Sequence, residues 1–210
     1  MHVPDGFLSP SITLPAWGAA VPLWYWSARR SFGPSAAERL PVLGGLTALA
    51  FVVQGIMIPV PGGTSAHLTG AAVLAIVFGP GAAFACESLV LLLQAVLLGA
   101  GGITVLGVNA LGLGLVGPGV AWLVDRSLRR ASGRLAAFAG GYLGIQASTL
   151  AVALVLGLQH HLDPSYMPVP FPVTLAAMMV PSLAVTGIVE GFYTVATLAL
   201  LRKARLLGPA

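Results

Sequence analysis

The chain begins MHVPDGFLSP, so a histidine stands directly after the first residue. A free terminal amine, the amide nitrogen of His2 and the Nδ1 atom of its imidazole can bind one metal ion together. The amine and the amide close a five-membered ring with the ion, and the amide and Nδ1 close a six-membered ring. Three nitrogens in one plane with an open fourth corner suit Ni(II) and Cu(II). The opening residues Met1 and His2 therefore predict a planar nitrogen site that needs one further donor.

The fourth donor has few candidates, because the chain contains only 4 histidines. His67 ends the loop PVPGGTSAH, whose prolines and glycines let the backbone fold close to a neighbour. His160 and His161 lie in a later loop, next to Asp163, and we expect them to attract cations weakly at most. We predict that His67 supplies the fourth nitrogen.

The segment after His2 is built to be rigid and partly buried. Pro4 fixes its own backbone φ angle, and Asp5-Gly6 favours a turn. Phe7 and Leu8 are apolar and favour burial. Such a segment can insert into a helical bundle instead of extending into solvent.

Composition identifies the class of protein that carries this segment. Hydrophobic residues make up 57% of the 210 residues and charged residues 8%, against about 25% charged in a soluble domain. The mean hydropathy is +0.94. Cys86 is the only cysteine, which excludes an internal disulfide and a CxxC metal site. We predict one membrane domain over 1–210, with a metal-binding segment at 1–10 and a helical bundle at 11–205.

The fold class predicted from the apolar runs is an all-α bundle that crosses the membrane about seven times, each span needing roughly 20 residues. The candidate spans are 12–28, 41–59, 67–79, 82–99, 103–124, 135–158 and 174–201. The third is short, and we expect a partial or strongly bent crossing there.

The basic residues orient this bundle. All 10 Lys and Arg fall in three clusters, between spans one and two, between spans five and six, and after span seven. With seven spans these clusters share one side, which the positive-inside rule makes cytoplasmic. The amino terminus and the His67 loop are then external. Topology accounts for the net charge of +4, so a nucleic-acid partner is not predicted. No basic residue precedes span one, and we expect an uncleaved chain that starts at Met1.

Polar residues inside the spans are further candidates. Gln54, Gln94 and Asn109 fall in the external half, where they can orient His67 or the terminus. Ordinary hydrogen bonds between helices are the alternative. Depth along the span places Glu87 in the cytoplasmic half, far from His2. For Glu190 in span seven, a structural role and a role in metal chemistry both remain open.

The chain lacks the residues of an enzyme or an ATPase. A phosphate-binding loop needs G-x-x-x-x-G-K-[ST], and the single lysine, Lys203, stands outside any such pattern. No HExxH pair occurs either. Energy for transport must come from partner subunits or from an ion gradient. A stand-alone metal channel, a secondary metal carrier and a membrane metal sensor remain alternatives.

Four features resemble the NikM/CbiM family: MHVPDGFLSP, PVPGGTSAHLTG, GGITVLGVNALGLGLVGP and the chain length. These proteins are the substrate-capture components of energy-coupling-factor (ECF) transporters for nickel and cobalt. The resemblance is strongest over residues 1–125. It implies a seven-span bundle whose terminus dips inward, with the metal held by the Met1 amine, the His2 amide and imidazole, and a loop histidine that corresponds to His67. Family members often carry an acid where Ala100 stands here.

The resemblance also implies partners and a location. It predicts a membrane coupling subunit and two ATP-binding subunits, and it leaves open a small accessory membrane subunit. The protein would be a multi-pass inner-membrane protein of a prokaryote, in contact with lipid. No catalytic cofactor is expected. The bound ion would be the substrate, Ni²⁺ or Co²⁺, and the PDGFLSP form is closer to the nickel branch.

Overall fold

The computed structural model describes residues 2–60 and 64–207, with the backbone alone at 34–36, 60 and 64–66. The described part forms a bundle of seven α-helices. Their bounds are α1 Pro10–Ser31, α2 Leu40–Gly55, α3 Ala71–Phe78, α4 Pro80–Leu97, α5 Leu106–Leu128, α6 Gly133–Leu162 and α7 Phe171–Lys203. A 3₁₀ turn, Pro34–Arg39, joins α1 to α2.

Every predicted span overlaps one of these helices, which confirms the all-α membrane fold. The second span was predicted to reach residue 59, whereas α2 ends at Gly55. The chain there enters a small antiparallel hairpin of β1 Ile58–Val60 and β2 Thr64–Ala66, in which Ile58 pairs with Ala66. Pro59 is tolerated because the hairpin has two edge strands and no central one.

Helix α3 is the short crossing that the sequence predicted. Its 8 residues rise only about 12 Å, less than half of the hydrocarbon thickness. It ends at Gly79, whose φ of 90° lets the chain turn at once into α4. A helix this short can complete a crossing only if the loop before it enters the bundle. The His67 loop does so, since His67 is 3% exposed.

Four of the described helices, α4 to α7, are long and apolar enough by length and composition to cross a membrane. The protein is therefore a multi-pass membrane protein. Helix α6 lies centrally and packs along both α5 and α7. Its glycines at 141 and 144 allow close approach, because a Cβ at Gly144 would lie 2.9 Å from the Ala121 side chain.

The amino-terminal segment is part of the hydrophobic core. Val3 and Leu8 are 1% and 4% exposed and belong to the same buried cluster as residues of α4, α5 and α6. Helix α5 contains a π-helical stretch, Ala110–Val116, directly after Asn109. Such bulges often occur at functional sites, since they redirect the side chains beside them.

Candidate metal centre

Asn109 fixes the backbone next to His2. The Val3 amide donates to Asn109 Oδ1 at 2.9 Å, and Asn109 Nδ2 donates to the Val3 carbonyl at 3.0 Å. The side-chain amide thus pairs with both backbone groups of one residue, as a neighbouring strand would. Asn109 is 2% exposed, so water does not compete for these bonds. The position of His2 along α5 is set by this pair.

Asp5 fastens the segment to the loop between α4 and α5. Its carboxylate accepts hydrogen bonds from the Ile103 amide at 3.1 Å, from the Thr104 amide at 2.9 Å, and from the Thr104 hydroxyl. Burial alone would raise the pKa of Asp5, but the bonds from Thr104 outweigh it and hold the pKa below its usual value. Asp5 was predicted only as a turn residue.

Two glycines in the same loop leave room for the segment. A Cβ on Gly101 would lie 3.2 Å from His2 Cβ, and Gly101 has a φ of 83° that favours glycine. A Cβ on Gly102 would lie 2.2 Å from an Asp5 carboxylate oxygen. The paired glycines in GAGGIT are the signal that could have predicted this close backbone approach.

The far end of the segment is held by the central helix. Gln159 Oε1 of α6 accepts from both the amide and the hydroxyl of Ser9, each at 2.8 Å. Trp17 of α1 donates to the Thr104 carbonyl at 2.8 Å, which ties the same loop to the first helix. The segment between His2 and α1 is therefore attached at Val3, Asp5 and Ser9.

This attachment brings His2 against His67. The two imidazole rings stack with their centroids 4.6 Å apart and their planes inclined by 25°. Two nitrogens about 2 Å from one ion at a right angle lie about 3 Å apart, which rings at this separation can present. The structure thus brings together the two histidines singled out in the sequence. The Met1 amine, predicted as another donor, lies outside the described residues.

Both imidazoles are held in the neutral form that binds metals. Burial, followed by the nearby His67 ring, lowers the pKa of His2 well below its usual value. Burial lowers the pKa of His67 to about 3. His67 Nδ1 lies 3.1 Å from the Leu68 carbonyl, a contact that places the ring proton on Nδ1. The metal-directed lone pair of His67 is then on Nε2, with the backbone as its supporting group.

Glu190 of α7 holds the backbone that follows His67. Its carboxylate accepts from the Thr69 amide at 2.8 Å, the Thr69 hydroxyl at 3.0 Å and the Gly70 amide at 2.9 Å. Glu190 is fully buried, which makes these bonds costly to lose. The sequence left its role open, and the structure connects the last helix to the His67 loop through it.

Glu87 lies in the first half of α4, as predicted, but it is not remote from the residues around His67. Gln54 Nε2 donates to Glu87 Oε1 at 2.7 Å and to the Thr69 carbonyl at 2.8 Å, so Glu87 lies beside the His67 loop. Counting the rise along α4 assumed that every span crosses at full depth. Because α3 is short and the loop before it enters the bundle, Gln54 and Thr69 lie at the depth of Glu87.

Gln94 is fully buried, and its side chain has no hydrogen-bond partner among the described residues. His160 and His161 are in the last turn of α6, where His160 Nδ1 lies 2.8 Å from the Met167 carbonyl. His161 is exposed. Neither contributes to the centre formed by His2 and His67.

Comparison with known proteins identifies the fold family. The sequence profile of CbiM, described as the cobalt uptake substrate-specific transmembrane region, matches residues 2–206. The chain belongs to the CbiM family. This confirms the resemblance read from the terminal motif and the His67 loop, and it extends that resemblance over the whole bundle.

Relatives and solved structures agree with this assignment. A protein of Methanocaldococcus jannaschii described as a metal transport protein is 36% identical over 98% of this chain and 93% of its own length. A fused nickel transport protein, NikMN, of Rhodobacter capsulatus is 36% identical over the full chain, which spans 64% of that longer protein. A crystal structure of a truncated transition metal transporter superposes with a TM-score of 0.92 at 35% identity, covering 97% of this CbiM-family chain and 99% of that one.

Proposed function

We propose that this protein is the substrate-capture component of an ECF-type importer for a divalent transition metal, nickel in preference to cobalt. The ion binds at the external face to the terminal amine, the amide nitrogen and Nδ1 of His2, and Nε2 of His67. The protein works as a transport component and carries no catalytic machinery of its own.

One observation carries the proposal, namely the stacked pair of His2 and His67 at the end of a segment attached at three points. Chelation by a terminus requires that the first residues be immobile, because an open chain loses the entropy of ordering when it binds. Here the hydrogen bonds of Val3, Asp5 and Ser9 order the segment during folding, before any ion binds.

The choice of metal follows from the donors. Imidazole and amide nitrogens suit Ni(II), Co(II) and Cu(II), whereas Mg²⁺ and Ca²⁺ prefer oxygen. A deprotonated amide in a planar set favours Ni(II) over Co(II). The names of relatives, among them a fused nickel transport protein and a cobalt transport protein of a Roseiflexus strain, agree with this pair of metals.

The partners are a membrane coupling subunit and two ATP-binding subunits, with a small accessory membrane subunit left open. The support is indirect. The sequence contains no phosphate-binding loop, so ATP-driven transport would need separate ATP-binding subunits. Metal uptake by cells that express this chain alone, compared with cells that also receive coupling and ATP-binding subunits, tests the point. Full uptake by the chain alone would favour the alternative, a stand-alone channel or secondary carrier.

The metal site itself is tested with the purified protein. We expect tight Ni(II) binding by the chain with a free amine and loss of that binding after acetylation or an uncleaved amino-terminal tag. The same tag at the carboxyl terminus is the control. The bound Ni(II) should be low-spin and yellow, and excess Mg²⁺ should not compete. Equal Ni(II) affinity of the tagged and free chains would contradict metal binding by the terminal amine.

A further inference from the structure

The orientation of the Gln54 side chain is determined by its partners. Its Nε2 lies 2.8 Å from the Thr69 carbonyl and 2.7 Å from Glu87 Oε1. A carbonyl oxygen only accepts, so the group facing Thr69 must be the amide NH₂. Both amide hydrogens are therefore used, and Oε1 is left as a pure acceptor on the other side.

The Gln54 side chain lies close to the His2 ring. Gln54 is the side chain whose contact favours a proton on the His2 ring, as an oxygen near the ring does. His2 Nε2 and Gln54 Oε1 are both buried, and within the described part of the chain neither atom has a hydrogen-bond partner. Buried polar atoms are rarely left unpaired, and here a ring nitrogen and an amide oxygen can satisfy each other.

We propose that Gln54, held in place by Glu87, is the positioning residue that keeps the ring proton of His2 on Nε2. A neutral imidazole carries one proton, and the hydrogen bond made by one nitrogen decides which lone pair the other presents. With the proton on Nε2, the lone pair of Nδ1 is available for the six-membered chelate ring with the His2 amide. The chelating role of Nδ1 rests on the proposed function, whereas the tautomer does not.

Glu87 acts one step farther out. Its Oε1 takes one hydrogen of the Gln54 amide while the Thr69 carbonyl takes the other, which prevents the amide from turning over. A donor that is hydrogen-bonded to an acceptor also polarises the rest of the amide, so Gln54 Oε1 becomes a better acceptor for His2. Glu87 thus supports the metal ligand through Gln54, from a helix that does not touch the terminus.

The ¹⁵N chemical shifts of the metal-free protein labelled at histidine report the tautomer directly. With only 4 histidines, His2 is assigned by single substitutions of the others. We expect the Nε2–H form of His2 in the native protein. Gln54→Leu should shift the ring toward a mixture or the Nδ1–H form, and Glu87→Leu should do so less. Glu87→Gln keeps an oxygen that can accept from Gln54, so this variant should give the same spectrum as the native protein.

Gln94→Leu is the matched control, because the Gln94 side chain in α4 is as buried as that of Gln54 but has no hydrogen-bond partner in the described structure. It should leave the tautomer unchanged. Ni(II) affinity should fall about tenfold or more in Gln54→Leu and little in Gln94→Leu.

Several outcomes would overturn the proposal. They are an Nδ1–H tautomer in the native protein, an unchanged tautomer in folded Gln54→Leu, or an equal change in Gln94→Leu. The native measurement decides even if Gln54→Leu fails to fold. An Nε2–H tautomer in a native protein that does not bind Ni(II) would contradict the proposed function and leave the role of Gln54 intact.

Discussion

At the scale of single residues, the centre depends on which nitrogen of each imidazole is supported. His67 directs Nδ1 to the Leu68 carbonyl, while His2 faces the acceptor oxygen of Gln54. The proposed metal site therefore uses a different nitrogen of each ring. This asymmetry follows from chelation, since only Nδ1 of His2 can close a small ring with its own amide.

His67→Ala should lower Ni(II) affinity at least tenfold, which is about 1.4 kcal/mol, because it opens one corner of the planar site to water. The double variant His160→Ala/His161→Ala should bind like the native protein, as His160 contacts only the loop backbone near Met167 among the described residues. Titration calorimetry on both variants checks this. A loss of equal size in the two proteins would move the fourth ligand to the end of α6.

Metal binding should weaken in acid, and the number of protons released is informative. Burial lowers the pKa of His2, and that of His67 to about 3, so both rings are already neutral near pH 7. Binding at pH 7 should then release about two protons, from the terminal amine and the His2 amide. Calorimetry in buffers of different ionisation enthalpy measures this number. Release of about four protons would show that the metal-free imidazoles are charged.

The same lowered pKa values affect stability. A histidine that is harder to protonate when folded than when unfolded favours unfolding in acid. The contribution of the neutral His67 ring is complete above about pH 6.5 and declines as the pH falls toward its folded pKa of about 3. The terminal segment should detach before the helices unfold, because its bonds are few.

At the scale of elements, three irregular segments build the site and the helices support them. The terminal segment, the hairpin loop that ends at His67 and the loop 98–105 meet near the His2 ring. Helix α7 contacts the second of these through Glu190, and α5 contacts the first through Asn109. The proposed ligands thus lie on loops that a rigid set of helices positions, as is common for binding residues.

Gly102→Ala should reduce Ni(II) affinity about tenfold or more without unfolding the bundle. The new Cβ would overlap the Asp5 carboxylate and displace the segment that carries His2. Gly119→Ala in α5 is the control, since a Cβ there meets no atom within 4 Å. Binding and thermal unfolding are measured for both variants. Native affinity in Gly102→Ala would show that the Asp5 contact does not position His2.

At the scale of the whole molecule, the arrangement of charge sets the orientation. The basic residues at the ends of α1, α5 and α7 lie beyond the same face of the bundle, which the positive-inside rule makes cytoplasmic. His2 is held near the start of α5, away from the basic end of that helix, so the proposed metal site would receive its ion from outside.

Cysteine labelling tests this orientation in intact cells. In a Cys86→Ser background the chain has no other cysteine, and Cys86 itself is buried. Ser165→Cys, after α6, should react with a membrane-impermeant maleimide added outside. Ser127→Cys, near the end of α5, should react only after the cells are opened. Both serines are exposed, so accessibility does not bias the comparison. The reverse pattern would place the terminus in the cytoplasm.

The sequence by itself determined the class of protein, the number of helices, their approximate bounds and the pair His2 and His67. These follow from composition, from apolar runs and from local chemistry, because hydrophobicity and chelate-ring size depend only on residues near one another in the chain. The family motif added the transporter system.

Only the tertiary structure decided which distant groups support the ligands. The bonds of Asp5 to Thr104, of Ser9 to Gln159 and of Thr69 to Glu190 join residues 99, 150 and 121 positions apart. No periodicity specifies such pairs, since they depend on how far each helix rises and how each is rotated about its axis. Glu87 shows the consequence. The sequence shows that Glu87 lies within a span, but its contact with Gln54 depends on the short helix α3 and on the loop that enters the bundle.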